Sequence, residues 1–158
     1  MIKPVDEIPM TRSERYQHYR ENIQTDINTA IRDRIPIFEF VGDYNFKTLA
    51  NAARVEKDRI CEKKVREIIR ENEIFKGHYL SAWEFRRLYP IIISSVKGEK
   101  SGERRVFCRI DFENLDKLEE LVIEAAKIRI KEIEQRVKEY EEKKQEADRD
   151  DFDGLCES

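Results

Sequence analysis

FEFVGDYNFKTLANAARVEKDRI, residues 38–60, decides the middle of the fold, because the chain either turns inside this stretch or runs straight through it. Aligned with a helix-turn-helix, Leu49, Ala50, Ala53, Val55 and Ile60 fall where apolar residues pack the two helices, with Ala50 the small residue at their crossing. Two positions depart from that pattern: Arg54 stands where the turn usually has glycine, and Lys63 takes the last apolar position of the second helix. The alternative is one unbroken helix with the stripe Phe46, Leu49, Ala53, Ile60 and Ile68. That reading leaves Lys57 and Lys64 on the stripe and Val55 nearly opposite it, and a turn between Arg54 and Lys57 restores the phase. Both readings stay open on sequence grounds. Upstream, Ile35 to Val41 is apolar, aromatic and β-branched and reads as a short strand ending at Gly42-Asp43, after which Asp43 or Asn45 caps the next helix.

Working outward, residues 1–10 hold two prolines and no helical period, so they read as an extended arm. Thr11-Arg12-Ser13-Glu14 is a capping box, and Tyr16, Tyr19, Ile23, Ile27 and Ala30 follow at helical spacing, predicting a helix over 11–34 that stops before Pro36. A helical or helix-turn-helix-like segment covers 43–73, and 79–89 reads as a short helix ended by Pro90. Residues 90–112 read as a hairpin: in its second strand Val106, Cys108, Ile110 and Phe112 alternate with Arg105, Phe107, Arg109 and Asp111, giving a buried face and a basic exposed one. Asn114 opens a long amphipathic helix over 114–145, whose seam Leu115, Leu118, Val122, Ala126, Ile130, Ile133, Val137 and Tyr140 needs a partner, either the Tyr16–Ala30 helix or a second copy pairing through 115–140. The acidic residues 146–158 read as a disordered tail. The class is therefore α+β: a mostly helical single domain over 1–145 with a winged-helix-like middle.

Composition narrows the function. Charged residues make up 41% of 158, yet net charge is only -3, which argues against a uniformly basic sleeve for nucleic acid. Three scattered cysteines without C-x-x-C spacing, and no long apolar run, point to a reduced cytoplasmic protein without a membrane span. His18 and His78 stand beside no nucleophile or metal-ligand pattern, and no phosphate-binding glycine loop occurs, so neither catalysis nor a metal or other cofactor is expected. The candidate binding residues are cations: Arg54, Lys57, Arg59, Lys63 and Lys64 on the 43–73 segment, and Lys97, Lys100, Arg104, Arg105 and Arg109 on the hairpin. If the turn is real, a basic wing beside a recognition helix makes duplex DNA the partner, bound with a steep salt dependence.

KPVDEIP, FEFVGDYNFKTLANAA and the Glu/Lys-rich terminal helix resemble the small accessory proteins of Firmicutes mobile elements and prophages. Among these are type II anti-CRISPR proteins, which bind and block the Cas9 nuclease. The resemblance implies a non-enzymatic inhibitor in the bacterial cytoplasm whose partner is Cas9 or its guide complex. It carries over no individual functional residue.

Overall fold

The computed structural model describes residues 11–41, 45–99 and 102–156, with side chains described as far as residue 149. The expected arm over 1–10 lies outside them. Helix α1 spans Arg12–Asp33, and the Glu14 amide donates to Thr11 Oγ1 at 3.1 Å, as the capping box requires. It ends where Arg34 takes a left-handed φ of 55° and its N–H meets the carbonyls of Ala30 and Ile31. A bidentate pair holds that residue: Arg34 Nη1 and Nη2 donate to the Asp116 carboxylate at 3.1 and 2.9 Å, tying the end of α1 to the short helix that follows the hairpin.

Helix α2 runs unbroken over Phe46–Glu71 behind an Asn45 cap, whose side chain accepts from the Lys47 amide at 3.0 Å. No turn occurs between Arg54 and Lys57, so the helix-turn-helix-like reading of 43–73 fails, and the winged arrangement with it. The segment contains no glycine or proline to break it. The phase slip that suggested a turn has another cause: the buried residues follow two partners in succession. Glu56 is wholly buried against α1, whereas Cys61, also fully buried, meets the sheet through a hydrogen bond with the Ile91 backbone. Val55, off both faces, is exposed.

Strand β1 (Ile37–Glu39), β2 (Ile91–Lys97) and β3 (Arg104–Ile110) form an antiparallel sheet in the order β1-β3-β2. The hairpin register pairs Ile91 with Ile110 and Lys97 with Arg104. Ile91, Ile93, Val106, Cys108 and Ile110 point inward and are buried over α2, which itself packs against α1. The predicted helix at 79–89 is a 3₁₀ segment, Ala82–Leu88, kinked at Phe85. Asp111, not Asn114, starts the last helical region: it caps the short α3 (Phe112–Asp116) by accepting from the Asn114 amide at 3.2 Å, and α4 begins at Leu118.

Leu118, Val122 and Ala126 bury the start of α4 against the 3₁₀ segment and α2, a different seat from the α1 partner the sequence offered. Val137 and Tyr140 are exposed, so the distal seam is left uncovered by the described residues. The helix runs on to Cys156, through the region read as a disordered tail. Low hydrophobicity shows that a segment buries little; it does not prevent a helix that satisfies its own backbone and is nucleated by a packed first half. Among the described residues no helix is long and apolar enough to cross a membrane.

Candidate binding surface

The outer face of the sheet departs from what its exposure predicts. An antiparallel sheet with one wet face should place polar residues on it. Here the three strands present Ile37, Arg109 and Ile92 in one cross-strand row, then Glu39, Phe107 and Ser94, then Arg105 and Val96. Ile37, Ile92 and Val96 are 49%, 56% and 49% exposed, and Phe107 is half-buried at the centre. Apolar groups collected on an open face mark an interaction surface.

Two contacts organise this face. Arg105 Nε donates to Glu39 Oε1 at 2.8 Å and Nη2 to Oε2, a bidentate pair across two strands, and its guanidinium lies 5.1 Å from the Phe107 ring centre. The guanidinium holds the Glu39 carboxyl below its ordinary range. Phe107 and Arg105 thus form a fixed aromatic and cationic plate, with Arg109 exposed beside it.

The ten cations expected to bind do not form one surface. Arg105 and Arg109 are on the outer face, while Lys97 and Arg104 sit at the hairpin end with the opposite strand parity, Arg104 stacking 5.4 Å from the Phe46 ring centre. Lys100 lies outside the described residues. The α2 set is on the other side of the sheet. Arg54 is exposed there, Lys57 Nζ is 2.9 Å from Asp58, and Arg59 Nη1 donates to Glu56 at 3.3 Å. Lys63 and Lys64 line a groove of about 380 Å³ with Gln24, Asn28, Arg59, Ile60 and Glu67. A winged helix needs its reading helix exposed beside the wing; here α2 lies between α1 and the inner face of the sheet.

The sequence reading missed Ile37, Glu39, Ile92, Val96 and Phe107. Ile91-Ile92-Ile93 and Val106-Phe107-Cys108 are continuous apolar runs, the pattern of strands used on both faces, and that signal was present in the sequence. Around the 3₁₀ segment, Phe85 and Tyr89 are core, while Trp83 is half-exposed and Tyr79 almost fully exposed. Glu56 was also missed, since a glutamate among Lys and Arg reads as a surface residue. Its carboxylate accepts from Arg20 Nε at 2.6 Å, from Gln24 Nε2 and from Arg59, which clasps α1 to α2. The thiols of Cys61 and Cys108 are both pushed up to about 12 by burial, the state of inert core cysteines. Among the described residues no group of three or more His, Cys, Asp or Glu is placed to hold a metal ion.

No family model, no curated protein and no solved structure matches this chain.

Proposed function

We propose that this is a non-enzymatic binding protein that acts by occupying a surface of a macromolecular partner with the outer face of its sheet. The observation that carries the reading is the open apolar face of Ile37, Ile92, Val96 and Phe107, set among Arg105 and Arg109. Aromatic, aliphatic and arginine side chains at the centre of a patch are the composition of protein interface cores. The resemblance to mobile-element proteins makes the CRISPR nuclease Cas9, with its guide, the partner to test, and the bacterial cytoplasm the place of action. A DNA-reading regulator draws less support: α2 does not turn, and it packs between α1 and the inner face of the sheet, on the opposite side from Arg105 and Arg109.

The experiment is a DNA cleavage assay with several Cas9 orthologues and a pull-down of each guide complex. Inhibition by the wild type that is lost in Phe107→Lys and in Ile37→Lys, both on the outer face, is the expected result. No inhibition and no stable complex with any orthologue removes Cas9 as the partner. Inhibition unchanged in both variants removes the sheet face as the contact.

A further inference from the structure

The sheet is incomplete at an edge as well as on its face, and this is an observation separate from the apolar patch. In β2 the even positions bond to β3. Gly98 N–H meets Glu103 O at 2.8 Å and Asp111 N–H meets Pro90 O at 2.8 Å, so Ile92, Ser94 and Val96 between them form the hydrogen-bonded pairs with Arg109, Phe107 and Arg105. The odd positions Ile91, Ile93, Ser95 and Lys97 therefore turn their backbone groups to the other side, where β2 is the last strand of the β1-β3-β2 sheet. Ile91 is engaged with Cys61. The amides and carbonyls of Ile93, Ser95 and Lys97 have no backbone partner among the described residues.

Proteins usually guard such an edge with inward charges, proline, a bulge or a short strand. Strand β2 has seven residues, IIISSVK, with no charge or proline before its last position. Its exposed outer residues read Ile92, Ser94, Val96, an apolar-serine-apolar pattern that matches its own reverse.

We propose that β2 pairs antiparallel with β2 of a second copy, across a two-fold axis at Ser94, to make a continuous six-stranded sheet. In this register Ile92 faces Val96 of the other copy twice, Ser94 faces Ser94, and the free groups of Ile93 and Ser95 bond each other's counterparts. Such cross-strand apolar pairs are the unit of sheet stabilisation. The two outer faces become one larger apolar face. A second copy is favoured over a foreign strand because the edge is self-matching in side-chain pattern and carries no repelling charge at the axis.

The test uses the full chain with Cys156→Ser, which leaves the two core cysteines. Light scattering is expected to give a concentration-dependent mass rising to twice 19.0 kDa. Ser94→Lys, which places two ammonium groups at the axis on the wet face, is expected to give the monomer mass with an unchanged circular dichroism spectrum. Ser94→Cys is expected to form a disulfide-linked dimer on mild oxidation, since residues directly opposite in a non-hydrogen-bonded antiparallel pair lie about 4.5 Å apart at Cα, within disulfide reach. A monomer at every concentration overturns the proposal and leaves the edge to a foreign strand. So does a dimer that persists in Ser94→Lys, or one that Ser94→Cys fails to crosslink.

Discussion

Breaking the Glu56 clasp tests how α1 and α2 are held. The Glu56 side chain is 0% exposed, and Arg20, 21% exposed, supplies its nearest cation at 2.6 Å. Substituting Arg20→Met keeps most of the apolar stem but leaves a carboxylate out of water with only Gln24 and the half-exposed Arg59 to offset it. Removing one partner of a buried pair costs roughly 3–5 kcal/mol. The two remaining donors and the partial exposure of Arg20 put the expectation at the lower end, about 3 kcal/mol. For a chain of this size that lowers the melting temperature by roughly 6–12 °C. The double variant Arg20→Met with Glu56→Met removes both charges and fills the space with thioether, so it should recover to about the wild type or exceed it. Urea unfolding followed by circular dichroism, with the slope m compared across variants, separates the cases. An Arg20→Met cost below about 1 kcal/mol at unchanged m, or a double variant less stable than the single, would refute the claim that a buried charge pair joins these helices.

Three further outcomes follow from the same structure. Arg54→Gly installs the residue a helix-turn-helix would want and should cost about 1 kcal/mol in an exposed helix interior, read by urea midpoint; a neutral or stabilising effect would restore the turn. Glu39, Asp33 and Asp116 are held below the ordinary carboxylate range by hydrogen bonds from Arg105, Arg32 and Arg34. A folded pKa below the unfolded one gives stability that is present above the unfolded value and lost as pH falls through the folded one. The melting temperature should therefore hold from neutral pH to about 5 and fall below about 4, less steeply in Asp116→Asn. Asp26, raised by burial, acts with the opposite sign. In a Cys156→Ser background, Cys61 and Cys108, both buried with pKa values of about 12, should resist a thiol reagent in the native state and react in full on unfolding; rapid native labelling would contradict their placement.

What could be read in the sequence was local. Thr11 with Glu14, the stops at Pro36 and Pro90, and the alternation through Val106, Cys108 and Ile110 each act within a few residues, and each appears in the structure. The errors came where burial or charge is settled by a distant segment. Helix α2 looked broken because a single stripe was sought on a helix that serves α1 through Glu56 and the sheet through Cys61. The candidate cations looked available because their carboxylates were counted as net charge and not as partners: Arg59 on α2 belongs to the buried Glu56, and Arg105 on β3 to Glu39, 66 residues away in the chain.

The same distinction bears on the binding surface. The run Ile91-Ile92-Ile93 states in the sequence that β2 has apolar demands on both faces, and only the strand order shows which demand is met within the chain. The inner face is met by α2; among the described residues nothing meets the outer face or the free edge. An uncovered apolar residue costs little by itself. Ile37, Ile92, Val96 and Phe107 gathered on one face, beside a free strand edge with no charge before Lys97, place an aggregation hazard on one side of the molecule. A partner covering these side chains, on the face, at the edge or both, would relieve that hazard, which is why the proposed contact and the proposed pairing both fall on this sheet.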